Sequence, residues 1–228
     1  MIPLIEIQNV TRQFGEFRAL NDLNLNLYAG HEYVIQGASG SGKSTLLYLL
    51  GGLDKANTGK ILVDKKNIFE LTEEELALYR NRFVGFVFQF HFLLPSMTCL
   101  DNILLPGRLS GLPEKDFVEI RQKVLDLALH LGIDHLLSKF PYQISGGEQQ
   151  RVNIVRALSL SPKLLLCDEP TGNLDSQNSR KVIQLLRKLA RENGATLVLV
   201  THDSEIASEF PHRFVMRDGK LVAEHGHD

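Results

Sequence analysis

Hydrophobic and polar residues alternate in the first part of the chain and give way to apolar segments further along it. Residues 4–10 and 21–28 are predicted strands, and in the second of them three leucines alternate with polar residues. This period of two is typical of a strand that buries only one face. Further strands are predicted over residues 59–63, 83–88 and, as a hairpin around Asp218-Gly219, 213–224.

Apolar strands without this alternation mark the centre of the predicted fold. They cover residues 33–36, 164–167 and 195–200. Helices are predicted over residues 179–192 and, with Leu, Val and Ile recurring every three or four positions, through most of 100–138. Strands that are apolar on both faces and separated by helices predict a parallel sheet covered on both sides.

Length and composition fit one soluble-type globular domain of the α/β class. The 228 residues accommodate one domain, residues 1–228, with an N-terminal antiparallel β subdomain and a helical subdomain inserted near residues 90–160. The net charge of −2 gives no basic field for DNA or RNA, so no nucleic-acid partner is expected. Cys99 and Cys167 lack ligand spacing and are interpreted as structural thiols of a reducing compartment.

A glycine-rich segment carries the strongest chemical signal. Residues 37–45 read GASGSGKST and follow the phosphate-loop pattern G-x-x-x-x-G-K-[ST] between a predicted strand and a predicted helix. In such loops backbone N–H groups surround phosphate oxygens, the lysine neutralises the β- and γ-phosphates, and the serine ligates Mg²⁺. The residues predicted to bind nucleotide here are Gly37, Ser39, Gly40, Ser41, Gly42, Lys43, Ser44 and Thr45. A RecA-like P-loop core, with ATP and Mg²⁺ as ligands, is therefore expected.

Two adjacent carboxylates follow the apolar strand 164–167. Parallel sheets bind ligands at the carboxyl ends of their strands, where Asp168 and Glu169 are predicted to lie. Asp168 is predicted to act on the Mg²⁺ side, and Glu169 to orient or deprotonate the attacking water. An apolar segment followed by Asp-Glu is common by itself. It indicates a catalytic site here because the same sequence also contains a phosphate loop.

A second phosphate-binding segment changes the interpretation of the whole chain. Residues 144–151 read ISGGEQQR, and Ser145 with the N–H groups of Gly146 and Gly147 is predicted to form an anion site at a helix N-terminus. The segment resembles the signature sequence of the ABC ATPase family, with Ile144 in place of the usual Leu. In that family each nucleotide lies between the P-loop of one subunit and the signature of the other, so the resemblance implies a homodimer.

The resemblance extends over essentially the whole chain and implies roles for residues outside these motifs. Phe14 matches the aromatic residue that stacks on adenine, where Tyr is more usual in the family. Gln89 matches the glutamine that senses the γ-phosphate and helps to bind the metal, Asp175 belongs to the D-loop at 172–175, and His202 matches the switch histidine. The implied catalytic residues are Glu169, His202 and Gln89, and the implied metal ligands are Ser44, Gln89 and Asp168.

Three shorter segments resemble one branch of the family, which includes lipoprotein-releasing, macrolide-efflux and cell-division ATPases. They are FQFHFLLP at 88–95, TGNLD at 171–175 and MRDGKL at 216–221. The first is most similar to the lipoprotein-releasing subunit. The resemblance implies a bacterial transporter ATPase on the cytoplasmic face of the inner membrane, with separate membrane-spanning permease subunits as its only membrane contact. The alternatives are an efflux or mechanotransmission ATPase of the macrolide-pump type and a cell-division signalling ATPase.

Other ATPase classes fit less well. An ABC ATPase of DNA repair would carry a long coiled coil or zinc-binding cysteines between the P-loop and the signature, and that interval here is short. A translation-type ABC protein would carry two cassettes, and the signature and His202 disfavour a P-loop kinase or GTPase.

An apolar cluster after Gln89 is the predicted docking site for the membrane-spanning subunit. It comprises Phe90, Phe92, Leu93, Leu94 and Met97. Aromatic and Met residues are enriched in interface cores, and a groove of this kind can receive a short helix. Packing inside the helical subdomain is the alternative explanation for the same residues.

Overall fold

Strands and helices alternate through most of the chain in the computed structural model, which describes residues 2–172 and 176–226. The strands are β1 (Ile5–Phe14), β2 (Phe17–Leu27), β3 (Glu32–Gln36), β4 (Thr58–Val63), β5 (Lys66–Asn67), β6 (Val84–Phe88), β7 (Leu164–Asp168), β8 (Thr196–Thr201), β9 (His212–Arg217) and β10 (Lys220–Gly226). The α-helices are α1 (Lys43–Leu50), α2 (Glu73–Leu78), α3 (Cys99–Leu109), α4 (Glu114–His130), α5 (Gly146–Leu158), α6 (Ser176–Glu192) and α7 (Ser204–Ser208).

These strands form two sheets. The larger sheet has the order β10-β9-β3-β8-β7-β6, and its neighbours from β9 to β6 run parallel, while β10 pairs antiparallel with β9. The smaller sheet, β2-β1-β4-β5, is antiparallel throughout. The α/β fold class predicted from the apolar strands is confirmed.

The strand β7 shows why the central strands are apolar on both faces. Leu164 and Leu166 pack into a cluster that includes β1, β2, β4 and α1, whereas Leu165 and Cys167 pack into a second cluster with residues of α3 to α6. Successive side chains of a strand point to opposite faces, and here each face is covered. Cys99 and Cys167 are both buried free thiols.

The hairpin of β1 and β2 is longer than the alternation predicts. β1 runs to Phe14, beyond the predicted end at residue 10, and Phe14 pairs with Phe17 at the hairpin tip. Register shifts within β1 after Ile7, Val10 and Arg12 break the period of two, so the pattern fades while the pairing continues.

Three helices lie between β6 and β7, in the region where the helical subdomain is predicted, and they pack against one another. The predicted helical segment 100–138 is divided because Gly111 has φ 65° and Pro113 precedes α4. The buried Asn102 side chain accepts from Leu94 N and donates to three backbone carbonyls, which positions the loop before α3. No helix within the described residues has both the length and the apolar character needed to cross a membrane.

Candidate nucleotide site

The glycine-rich loop connects β3 to α1 at the carboxyl edge of the larger sheet. Gly42 immediately precedes α1 with φ 105°, and a Cβ there would lie 2.3 Å from the carbonyl oxygen of Ala19. Only glycine fits both the backbone conformation and the space. Gly219 N donates to Ser41 O at 3.0 Å, so the β9–β10 turn also holds the loop.

A cavity of about 550 Å³ opens beside this loop. Most of the predicted site residues line it, namely Ser39, Gly40, Gly42, Lys43, Ser44, Thr45, Gln89, Asp168, Glu169 and His202. Gly37 and Ser41 belong to the loop but are not among the lining residues. The fold therefore brings the P-loop, the ends of three parallel strands and the N-terminus of α1 to one place.

Lys43 contacts both the glycine-rich loop and the Glu169 carboxylate. Its Nζ donates to Gly37 O at 2.8 Å and to Ala38 O at 3.0 Å, and lies 3.8 Å from Oε1 of Glu169. The side chain is 7% exposed. The ammonium charge is thus held where the loop meets the carboxylate that follows β7.

Asp168 ends β7 and accepts two hydrogen bonds from α1. Ser44 Oγ donates to its Oδ1 at 2.9 Å, and the Tyr48 hydroxyl donates to its Oδ2 at 3.0 Å. Burial, and then the Asp168 carboxylate, raise the pKa of the Tyr48 phenol to about 12, so the hydroxyl remains a donor at neutral pH.

Glu169 reaches the same cavity through its backbone conformation. Adjacent strand residues point to opposite faces, but Glu169 has φ 45°, which turns the chain at the end of β7 and lets both carboxylates line the cavity. Oε2 of Glu169 lies 3.0 Å from Nδ1 of His202. His202 follows β8, whose Val200 accepts a hydrogen bond from Glu169 N at 3.1 Å.

Gln89 follows β6 and packs against Gly172. A Cβ on Gly172 would lie 2.5 Å from Nε2 of Gln89, so a larger residue would displace the amide. Both residues line the cavity. The contact connects the β6 edge of the site to the first residue of the predicted D-loop.

Two aromatic residues stand at the hairpin tip. Phe14, the predicted adenine-stacking residue, is 49% exposed, and the Arg12 guanidinium carbon lies 4.4 Å from its ring centroid. Its cross-strand partner Phe17, which is 57% exposed, lines the cavity, whereas Phe14 does not. An exposed aromatic surface is therefore available at this end of the site.

The signature segment lies elsewhere. Ser145 caps α5: its N and Oγ both donate to Oε2 of Glu148 at 2.7 Å, and these bonds hold the pKa of the Glu148 carboxyl below its usual range. Gly146 and Gly147 are exposed, and a Cβ on either would meet nothing within 4 Å. Ser145, Gly146 and Gly147 do not line the cavity of their own chain.

The cavity residues fit a magnesium nucleotide. The Ser44 hydroxyl and the Asp168 carboxylate, which touch each other, are oxygen donors of the kind that Mg²⁺ prefers. Within the part of the chain that the structure describes, the buried Ser41 hydroxyl of the P-loop has no hydrogen-bond partner. A buried unpaired donor at this position suits an incoming phosphate oxygen.

Some residues fall outside the predictions or outside the described ranges. Asp175, the predicted D-loop residue, lies among residues 173–175, which the structure does not describe. Phe17 and Tyr48 line the cavity without having been predicted. Tyr48 lies four positions after Ser44, a spacing that places both on one side of a helix and could have indicated it.

Comparison with known proteins identifies the family. The sequence pattern of the ABC transporter family matches residues 20–172, which include the P-loop, the signature and both carboxylates. The chain belongs to the ABC transporter family. It is an ATPase of that family, as the resemblance implied.

Individual ABC proteins are similar to almost the whole chain. Over 225 residues it is 44% identical to the lipoprotein-releasing system ATP-binding protein LolD of Aquifex aeolicus, covering 98% of each chain. It is also 44% identical over 228 residues to the macrolide export ATP-binding/permease protein MacB of Pasteurella multocida, covering 98% of this chain but 34% of that protein.

Solved ABC structures are similar as well. The bacterial ABC transporter cassette MJ0796, in a dimeric structure, has a TM-score of 0.86 and 37% identity, covering 97% of this chain and 98% of that one. A post-hydrolysis dimer of the same cassette, bound to ADP and Pi, has a TM-score of 0.85.

Proposed function

We propose that this ABC ATPase binds Mg-ATP between two copies of the chain and uses hydrolysis to move a separate membrane-spanning subunit of a lipoprotein-releasing type of system. One observation carries the proposal. The cavity is lined by a P-loop lysine, two carboxylates, Gln89 and His202, while the signature serine and glycines of the same chain are exposed and do not line it.

The P-loop side supplies binding. When nucleotide binds, Lys43 exchanges its hydrogen bonds to the Gly37 and Ala38 carbonyls for hydrogen bonds to phosphate oxygens. Phosphate oxygens are better acceptors because they are charged. Ser44, Asp168 and Gln89 would hold Mg²⁺, which neutralises phosphate charge when it is bound. Phe14 is to stack on adenine, with the neighbouring Phe17 closing the other side of the hairpin tip.

Glu169 and His202 supply the hydrolytic step. Glu169 is to orient a water molecule toward the γ-phosphate and to accept its proton. His202 Nδ1 lies 3.0 Å from the Glu169 carboxylate and can hold that carboxylate in its orientation toward the γ-phosphate side. Positioning and charge stabilisation are the main contributions that a protein makes to phosphoryl transfer.

A second chain completes the site. The exposed N-terminus of α5, with Ser145, Gly146 and Gly147, has the N–H donors and the positive dipole end that a γ-phosphate requires. The dimeric structure of the similar cassette MJ0796 supports this arrangement. Asp175, as part of the D-loop, is proposed to lie at the same junction.

The membrane-spanning subunit is proposed to dock at an apolar groove beside Gln89. The groove encloses about 450 Å³ and is lined by Phe86 and Phe88 of β6, by Leu105, Pro106 and Leu109 of α3, and by others. The predicted cluster does not line this groove, and two of its members, Phe90 and Phe92, line the nucleotide cavity. Phe92 reaches the groove only through Phe88, which it contacts edge-on with centroids 5.2 Å apart, and Arg156 donates to Phe92 O at 2.8 Å. Leu93 instead packs against the hydrophobic core.

The lipoprotein-releasing type is the finer part of the proposal. The similarity to LolD covers nearly the full length of both chains, and LolD is an ATP-binding protein of a lipoprotein-releasing system. The similarity to MacB, an ATP-binding/permease protein, keeps a macrolide-export type as the second candidate. In either case the chain would be peripheral on the cytoplasmic face of the inner membrane.

Complementation between two inactive variants tests the composite site. Lys43→Ala removes the charge that binds phosphate in one chain, and Ser145→Ala removes the signature hydroxyl. Each variant alone should have little ATPase activity, and Lys43→Ala should also bind ATP more weakly. A mixture should regain activity, since mixed dimers contain one site with an intact P-loop and an intact signature. If the mixture stays inactive while both variants are folded, the two-chain site is wrong.

Identification of the membrane subunit tests the transporter type. The tagged native chain should co-purify from detergent-solubilised inner membranes with spanning subunits. In proteoliposomes, ATP should then drive release of a lipid-modified protein to a soluble acceptor. Export of a macrolide by the same complex would favour the second candidate, and a partner that moves neither would favour signalling.

A further inference from the structure

Two donors from one helix hold both oxygens of the Asp168 carboxylate. Ser44 Oγ donates to Oδ1 at 2.9 Å and the Tyr48 hydroxyl donates to Oδ2 at 3.0 Å. The two residues are separated by one turn of α1, so both side chains lie on the same side of the helix. Because each oxygen has its own donor, the plane of the carboxylate is fixed.

Tyr48 has no comparable role in the core. The buried residues of α1 are Lys43, Leu46, Leu47, Leu49 and Leu50. Tyr48 is 36% exposed, lines the nucleotide cavity and directs its hydroxyl at the carboxylate of Asp168, a residue that is 8% exposed. The position of the phenol is therefore better explained by the site than by packing.

These bonds are compatible with metal binding. A serine hydroxyl donates one proton and keeps lone pairs, so Ser44 can bond to Asp168 and still present its oxygen to a cation. A carboxylate oxygen likewise has lone pairs beyond the one that accepts from Tyr48. Partners that orient metal ligands in this way typically change metal affinity by about 10- to 100-fold.

We propose that Tyr48 is a positioning residue, which together with Ser44 orients the Asp168 carboxylate toward the divalent cation of the bound nucleotide. The proposal rests on the proposed function and assigns Tyr48 no contact with the reacting atoms. Its loss should weaken cation binding, while nucleotide binding without the cation changes little.

The test uses two substitutions that remove the hydroxyl donor. Tyr48→Phe keeps the aromatic ring, and Tyr48→Met replaces the ring with an unbranched apolar side chain. Mn²⁺ is titrated by electron paramagnetic resonance into the full chain with the non-hydrolysable ATP analogue AMP-PNP. The Kd for Mn²⁺ should rise about tenfold in both variants. AMP-PNP binding in EDTA should stay within about threefold of native, because the phosphate-binding residues remain in place.

Tyr79→Phe is the matched control. The Tyr79 hydroxyl donates to Leu50 O at 2.6 Å at the other end of α1, so its loss should lower Tm without changing the Mn²⁺ affinity. If Tyr48→Phe behaves like Tyr79→Phe, with a lower Tm and native Mn²⁺ affinity, the positioning role is wrong. If the native chain itself fails to bind AMP-PNP, the proposed function fails instead.

Discussion

The Glu169 carboxylate lies between two cationic or potentially cationic side chains that come from distant parts of the sequence. Its Oε2 is 3.0 Å from Nδ1 of His202, and its Oε1 is 3.8 Å from Nζ of Lys43. One side chain thus joins the P-loop to the end of β8. A substitution at Glu169 tests the hydrolytic step separately from phosphate binding only if it keeps the size and polarity of the side chain.

Glu169→Gln should retain ATP affinity within about threefold and lower kcat by at least about 100-fold, because an amide is a poor proton acceptor at neutral pH. The amide keeps the size of the carboxylate and can still hydrogen bond to His202. ATP binding and ATPase rate are measured on the same preparation, with the membrane partner present. Native turnover by the folded variant would remove Glu169 from the proposed mechanism.

Gly172→Ala should lower the ATPase rate by displacing Gln89. The added methyl group would lie 2.5 Å from Nε2 of Gln89, and the amide would have to move. The expected loss is about 10-fold in kcat with little change in Kd for ATP, since a small misplacement of a catalytic group is costly.

A double-mutant cycle provides the control for this prediction. If Gly172→Ala acts through Gln89, then adding it to Gln89→Ala should cause no further loss. Additive losses would mean that the methyl group acts elsewhere, for example on the P-loop.

Leu109→Asp should abolish assembly with the membrane-spanning subunit and spare the isolated chain. Leu109 is 72% exposed and lines the apolar groove, so a charge there would oppose docking of an apolar helix without disturbing the core. Co-purification measures assembly, and ATP binding reports the folded state.

Leu129→Asp is the matched control, because Leu129 is 66% exposed on α4 and does not line the groove. It should assemble normally. Leu94→Asp tests the edge of the predicted cluster in the same assay, since Leu94 is 40% exposed. Normal assembly by Leu109→Asp would place the docking site elsewhere.

Glu32→Gln should destabilise the protein at neutral pH and not at acid pH. Glu32, 5% exposed at the start of β3, accepts from Arg187 Nε at 2.7 Å and from Arg191 Nη2 at 3.0 Å. Burial alone would raise its pKa, but the bonds from Arg191 and Arg187 hold the net pKa below the usual value. At pH 7 we expect a loss of about 1–2 kcal/mol, reduced by the solvent exposure of Arg191.

The lowered pKa determines the pH dependence of this effect. The stabilisation is complete above the unfolded pKa of about 4.3 and is lost as the pH falls through the lower folded pKa. Urea unfolding of native and Glu32→Gln chains should therefore converge below that range. Glu192→Gln is the control, because Glu192 is exposed on α6, the helix that carries Arg187 and Arg191. Its free energy of unfolding should stay within about 0.5 kcal/mol of native at every pH. A difference that persists at acid pH would mean that the charge is not responsible.

Local patterns predicted the central sheet because its strands are apolar on both faces, as in β7, and that property does not depend on distant residues. The end of β1 could not be predicted in the same way. Its last residues, including Arg12 and Gln13, are held by pairing with β2 through register shifts, and pairing partners are set by the fold rather than by local alternation.

The site residues also fall into those that local sequence predicts and those that depend on the fold. Lys43 was predictable because it belongs to the phosphate-loop motif, and Asp168 and Glu169 because they come at the end of an apolar strand. Tyr48 lies outside the phosphate-loop motif and reaches the site because α1 lies beside the end of β7, so only its helical spacing from Ser44 points to it in the sequence. Leu93 and Phe92 are adjacent, yet one packs into the core and the other is exposed, a distinction that depends on the path of the loop.

The exposed signature at the start of α5 has a kinetic consequence. If every completed site needs the α5 terminus of a neighbour, the ATPase reaction of the free chain is second order in protein at low concentration. The ATPase rate per chain would then fall on dilution. Two chains held in one membrane complex would keep their rate at any dilution. On that condition, ATP hydrolysis would be confined to the places where two cassettes are brought together.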